Sequence, residues 1–276
     1  MGMEPGWTLG EVGHGSSPLI IHVPHAATWI PTIERDELLL DDSELEHELR
    51  VMTDWYTDRM AQDALAQAGV PAVIFANRAS RLVIDPERFI GDDEPMQKVG
   101  MGPVYVATSD GRPLRTPDPA RDLRLLDQWF HPYAAAFADL VDKTMAEHGR
   151  AVIIDLHSFP SMALPYELDQ NAARPGICIG TDPFHTSPAL RELALDVFEG
   201  TPTQVGENTP FAGTYVPLAH FRTTREVNSV MIEIRRDLYQ DEPGGPMHEG
   251  YGRVVDRLAK FLDSASESDG AHMESG

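Results

Sequence analysis

Short apolar runs alternate along the chain with longer stretches in which apolar residues recur at helical spacing. Leu19-Ile20-Ile21-His22-Val23 reads as a buried strand, ended by Pro24. Ser43-Glu44-Leu45-Glu46 has the form of a capping box, and Leu45, Leu49, Met52 and Tyr56 follow near helical spacing up to Gly69. That reading places the carboxylate of Thr53-Asp54-Trp55 inside a helix. Val73-Ile74-Phe75 and Arg81-Leu82-Val83-Ile84 read as further strands. Residues 91–119, rich in Gly, Pro and Asp, read as a long loop with a short hairpin near Val104–Ala107 and Asp110-Gly111. From Ala120 to His148 a second helical region carries Leu126, Trp129, Tyr133, Phe137, Leu140 and Val141 on one side, with Pro132 expected to kink or divide it. Ala151-Val152-Ile153-Ile154-Asp155-Leu156 is the clearest strand. Ile177–Ile179 and Val230–Ile234 are two more, and Pro188–Phe198 is a helix. Tyr251, Val254, Val255, Leu258 and Phe261 mark a last amphipathic helix.

This alternation predicts a three-layer α/β sandwich around a mixed, largely parallel sheet. The 276 residues suit one large domain over residues 1–263, with the small polar residues 264–276 as a disordered tail. In such sheets sites gather at the carboxyl ends of strands, so the residues there carry the functional reading.

Charge narrows the partners. Forty-four acidic against 22 basic side chains leave a formal charge of −22, which speaks against nucleic acid and anionic membranes. A basic pocket for a small anionic substrate remains compatible with it. One cysteine, Cys178, excludes an internal disulfide and a multi-thiolate zinc site. The first residues show no secretion signal and no stretch reaches the roughly 18 apolar residues of a membrane span. The expected location is cytoplasmic.

Three strand ends carry chemistry: Pro24-His25, then Asp155-Leu156-His157-Ser158, then Glu233 within Met231–Arg235. A zinc hydrolase needs about three His, Asp or Glu ligands and a further carboxylate to take a proton from water. His25, Asp54, His157 and Glu233 satisfy that list, although HExxH, GxSxG, Walker A and GxGxxG motifs are all absent. Each residue also has an ordinary reading. His25 and His157 can be hydrogen-bonded structural histidines, Asp54 a solvated helix residue, and Glu233 a paired buried acid. His22 is three residues from His25, on the opposite face of a strand, and reads as structural. Asp155 shares a strand face with His157, where it can orient the imidazole or serve a salt bridge. Arg78, Arg81 and Arg88 form an unusual basic cluster that either pairs with Asp85 and Glu87 or clamps an anionic substrate.

Taken together, these segments resemble the N-formylglutamate amidohydrolase (formylglutamate deformylase) family. The stretches that carry the resemblance are Val23-Pro24-His25-Ala26, Thr53-Asp54-Trp55, Ser80 to Phe89, Ile154-Asp155-Leu156-His157-Ser158, Pro210 to Tyr215 and Ile232 to Tyr239, in that order over roughly residues 18–240. The resemblance implies a fold like the zinc carboxypeptidases and one zinc ion. His25, Asp54 and His157 would be its ligands, Glu233 the general base, and Arg81 and Arg88 substrate-binding or structural arginines. Asp155 would support a ligand from behind, and Tyr215 would hydrogen-bond substrate or pack. The implied reaction is deformylation of N-formyl-L-glutamate or a similar N-acyl amino acid. The rivals are an amidase or peptidase of the same fold acting on another acyl-amino acid or γ-glutamyl peptide, and a non-catalytic binding protein. Two departures stand out. Val216-Pro217-Leu218-Ala219-His220 holds Leu218 where the family often has arginine, leaving Arg222 and Arg225 as substitutes, and Asp85-Pro86-Glu87-Arg88 replaces Asp-Leu-Asn-Arg.

Overall fold

The computed structural model describes residues 6–91, 93–199 and 204–267. Seven strands form one sheet: β1 (Trp7–Val12), β2 (Leu19–Val23), β3 (Ala72–Asn77), β4 (Ala151–Phe159), β5 (Ile177–Gly180), β6 (Val205–Glu207) and β7 (Val227–Arg235). Their spatial order is β1-β3-β2-β4-β7-β5-β6. The central strands β3, β2, β4 and β7 run parallel. β1 is antiparallel to β3, β5 is antiparallel to β7, and β6 pairs parallel to β5. The sheet is therefore mixed and largely parallel, as the alternation of elements predicts.

Helices α1 (Thr32–Asp36), α2 (Asp42–Met52), α3 (Thr57–Ala68), α4 (Pro119–Leu125), α5 (His131–His148), α6 (Pro188–Phe198) and α7 (Gly250–Glu267) complete the chain. Side-chain alternation on the strands builds the layers. Val152, Ile154 and Leu156 of β4, with Val230, Ile232 and Ile234 of β7, pack under α3, α6 and α7. Ile20, Phe75, Ile153 and Val227 point the other way, onto Tyr133, Phe137 and Val141 of α5. On that second face the apolar series stops part-way along each strand. Ile20 is followed by His22, Ile153 by Asp155 and His157, and Val227 by Ser229, Met231 and Glu233. The same pleat that buries the core thus delivers a row of polar side chains to one end of the sheet.

Several local expectations change. The first helical region is two helices, not one, and its cap is Asp41, which exchanges both capping-box bonds with Glu44; Ser43 lies inside α2. The break falls at Thr53, so Asp54 sits between α2 and α3 rather than within a helix. Arg81–Ile84 is a run of turns. Leu82, Val83 and Ile84 are buried in side clusters beneath the loops, which satisfies their apolarity without sheet pairing. The 91–119 segment includes a short 3-10 turn (Pro95–Val99) and isolated bridges Met101 with Tyr105 and Ala107 with Pro113. It is packed down, with Met101, Tyr105 and Leu114 fully buried and Ser109 donating backbone and hydroxyl bonds to buried Glu48. Pro132 does divide its helix: a π turn over Leu126–Phe130 separates α4 from α5. Of the tail expected from Ser264, residues 264–267 belong instead to α7, which continues to Glu267; residues 268–276 lie outside those described.

Candidate metal centre and active site

His25, Asp54 and His157 come together from three separate elements, each with a local reason for its placement. His25 follows β2 beyond Pro24. His157 lies inside β4, on the face of Ile153 and Asp155. Asp54 is fixed by the helix break: its N–H donates to the His25 carbonyl at 3.0 Å, and its own carbonyl accepts from the Thr57 hydroxyl at 2.8 Å. Asp54 Oδ2 lies 3.1 Å from His157 Nδ1 and 3.7 Å from His25 Nδ1. One ligand atom from each of the three lies within 4.8 Å of the other two. His25 Nδ1 is buried with no hydrogen-bond partner among the described residues.

The opposite edges of both imidazoles are held. His25 Nε2 lies 3.0 Å from Asp85 Oδ1, and His157 Nε2 lies 3.0 Å from Asp155 Oδ1. An ionised carboxylate only accepts, so each Nε2 carries a hydrogen; His157 Nδ1 also donates to Asp54 Oδ2, and both Nδ1 atoms face the locus where a metal would displace their protons. Asp155 Oδ1 also accepts from His22 Nδ1 at 2.9 Å, Asp155 Oδ2 accepts from the Tyr215 N–H at 3.0 Å, and His22 Nε2 accepts from the Tyr133 hydroxyl at 2.7 Å. His22 has both nitrogens bonded in this way and belongs to the framework.

The electrostatics favour positive charge at this locus. Burial opposes charge on both histidines, yet the surrounding carboxylates outweigh it. Asp85 and Asp54 raise the His25 pKa, and Glu87 and Asp155 raise that of His157 well above its ordinary value. Burial would raise the Asp54 carboxyl, but bonds from His157 and His25 and the charge of Arg236 hold it far below the carboxylate range. The locus attracts positive charge, here as protons on the imidazoles, which is where a divalent metal would compete.

Glu233 is the Cα partner of His157 in the β4–β7 ladder and lines the same cavity of about 660 Å³. Its Oε2 is buried with no hydrogen-bond partner among the described residues, and burial pushes its carboxyl up to about 7 against the opposing charge of His157. A buried carboxyl poised near neutrality beside a cation site is suited to proton transfer.

The arginines separate. Arg81 is buried and donates to Tyr105 Oη at 3.0 Å and Asp85 Oδ2 at 2.9 Å, while Tyr105 Oη in turn donates to Asp85. Arg88 also lines the cavity; its one ion pair among the described residues is with Asp85 at 3.4 Å, and its Nε has no hydrogen-bond partner. Tyr215 lines the cavity with its ring stacked on His22 and Phe137. Three contributors escaped sequence reasoning. Asp85 holds His25, rather than serving only its neighbouring arginines. Glu87 brings its carboxylate within 3.3 Å of His157 Nε2 and 3.6 Å of His25 Nε2. Arg236 binds Asp54 Oδ1 at 2.9 Å and the Ser158 carbonyl at 3.2 Å; an arginine directly after a buried strand was the available signal.

The model of the N-formylglutamate amidohydrolase family matches residues 17–240, a span that holds every one of these side chains. The chain belongs to the N-formylglutamate amidohydrolase family. It is accordingly a hydrolase of carbon–nitrogen amide bonds other than peptide bonds. It is 29% identical to the N-formylglutamate deformylase of Pseudomonas aeruginosa over 240 residues, covering 83% of this chain and 84% of that one. It is 27% identical to the deformylase of Pseudomonas putida over 235 residues, with the same coverage of each chain. A crystal structure of N-formylglutamate amidohydrolase from Ralstonia eutropha superposes with a TM-score of 0.79 at 22% identity, covering 96% of this chain and 98% of that one, and shows the shared fold. Among the described residues, no helix of this family member is long and apolar enough to cross a membrane.

Proposed function

We propose that the chain is a zinc-dependent amidohydrolase that removes the formyl group from an N-formyl amino acid, with N-formyl-L-glutamate as the reference compound. The observation that carries this reading is the convergence of His25 Nδ1, His157 Nδ1 and Asp54 Oδ2 beside an unpaired Glu233 carboxyl. Two imidazoles and a carboxylate, with their far edges held by Asp85 and Asp155, match the donor set of a catalytic zinc site.

His25, Asp54 and His157 would hold the metal. Zinc bound there supplies Lewis acidity, which polarises the formyl carbonyl and makes water more acidic. Glu233 accepts a proton from the water as its oxygen adds to the formyl carbon. When the carbon–nitrogen bond breaks, Glu233 returns that proton to the leaving nitrogen, and formate and the amino acid depart. Burial raises this carboxyl above the ordinary glutamate range, which makes it basic enough to take the proton while leaving it acidic enough to release it. Arg236 keeps Asp54 ionised and aimed. Arg81 acts through Asp85, which fixes His25. Arg88, with spare donors on the cavity, binds the substrate carboxylate. Tyr215 positions Asp155 through its N–H and packs against His22.

The test is the metal content of dialysed protein together with formate release from N-formyl-L-glutamate and other N-formyl amino acids, with and without chelator. About one zinc per chain and chelator-sensitive formate release are expected. Protein that neither retains nor takes up a divalent metal would refute the proposal and favour a binding protein that keeps the fold.

A further inference from the structure

We infer that this cavity selects N-formyl amino acids with an apolar side chain, holding the carboxylate on Arg88 and the side chain against Phe89, Leu168, Leu218 and Phe221. The inference deepens the deformylase reading and rests on it.

The first argument is the supply of cations. Four arginines line the cavity. Arg81 is committed to Asp85 and Tyr105, and Arg236 to Asp54 and Ser158. Arg222 lies 3.4 Å from Asp182, its guanidinium over the Phe221 ring, and its side chain is mostly in solvent, where a charge contributes little. Arg225 packs over Phe184 and does not line the cavity. Arg88 remains, which is enough for one carboxylate. A second carboxylate would enter a cavity that also contains Asp169 and Asp182, in a protein of formal charge −22.

The second argument is the apolar wall. Leu168, Leu218 and Phe89 line the cavity and yet are 62, 59 and 40% exposed. The Phe221 ring approaches that of Phe89 at 5.9 Å. Large apolar side chains left in water at the mouth of a hydrolytic site gain most from an apolar group on the substrate. The cavity, at about 660 Å³, has room for one beyond the formyl and carboxylate groups.

The experiment compares kcat/KM of the zinc-loaded enzyme for N-formyl-L-leucine, N-formyl-L-phenylalanine, N-formyl-L-glutamate and N-octanoyl-L-glutamate. The two apolar formyl compounds should exceed N-formyl-L-glutamate by about tenfold or more, the scale of one or two buried methylene groups. Leu218→Arg should shrink that ratio by raising the glutamate compound and lowering the apolar ones. Equal or better turnover of N-formyl-L-glutamate by the unaltered enzyme overturns the inference and leaves the deformylase reading intact. Preference for the octanoyl compound overturns the placement of the apolar group on the side chain. If none is hydrolysed, the deformylase reading itself fails. Calorimetry of the formyl compounds on zinc-loaded Glu233→Gln protein then decides the pocket: tighter apolar binding supports it, and tighter glutamate binding or no binding overturns it.

Discussion

Asp155 and His157 stand two residues apart on β4, and Oδ1 of the first lies 3.0 Å from Nε2 of the second. The pleat alone produces this pairing, since residues i and i+2 share a face. It fixes which imidazole nitrogen keeps its hydrogen. Asp155→Asn would replace an acceptor-only carboxylate with an amide that cannot guarantee that tautomer. Zinc affinity should fall about 10- to 100-fold, as for other groups that support a metal ligand. Competition with a chelator of known affinity measures it; an unchanged zinc affinity would reduce Asp155 to a framework bond with His22.

Much of this site can be read from sequence because it follows strand alternation. Asp155, His157 and Glu233 interrupt apolar strands on the face that the core leaves free, and a buried carboxylate in such a run demands an explanation. Asp54 was legible as a residue but not as a position. The break between α2 and α3 lacks Gly or Pro, and it depends on tertiary bonds to His25 and Arg236. Glu87 and Asp85 were hidden by the Arg81–Ile84 run, whose apolar pattern mimics a strand although it folds as turns. β1 and β6 went unread for a simpler reason: as partly exposed edge strands they show no continuous apolar run.

Arg236 is buried, with its guanidinium bonded to Asp54, Ser158 and the Val51 carbonyl. Arg236→Met would leave the Asp54 carboxylate buried with one cation fewer. Removing one partner of a buried pair typically costs about 3–5 kcal/mol. Urea unfolding of the metal-free protein should show a loss of that order, and bound zinc should recover part of it by supplying positive charge to Asp54. An unchanged midpoint would mean that water already screens this pair.

Among the described residues Arg88 makes one long ion pair, and it borders the cavity. Arg88→Ala should raise KM for N-formyl amino acids by about tenfold or more, the scale of one charge-assisted bond, with a smaller effect on kcat. Steady-state kinetics on one substrate separates the two. A fall in kcat at constant KM would instead place Arg88 with Arg81, acting through Asp85.

Glu233 links activity and stability with opposite signs. Its carboxyl is held up to about 7 by burial. As a base it works ionised, so kcat/KM should decline as falling pH protonates this carboxyl, and in the metal-loaded enzyme that decline should lie below 7 because the bound cation favours the carboxylate. The folded state prefers the protonated form, so the stabilisation from this group is complete below the ordinary glutamate value of 4.5 and is lost as pH rises towards 7. At pH 8 the metal-free protein therefore contains an ionised, unpaired buried carboxylate. Glu233→Gln removes that charge while keeping the shape. We expect turnover to drop by about 10²- to 10⁴-fold, zinc to be retained, and thermal stability of the metal-free form at pH 8 to rise by on the order of 2 kcal/mol. For a chain of this size that is roughly 4–8 °C in Tm. The gain should disappear when both proteins are melted at pH 4, where the wild-type side chain is already neutral. A variant that lost activity without gaining stability at pH 8 would show that Glu233 is paired in solution, and the raised carboxyl would no longer support its role as the base.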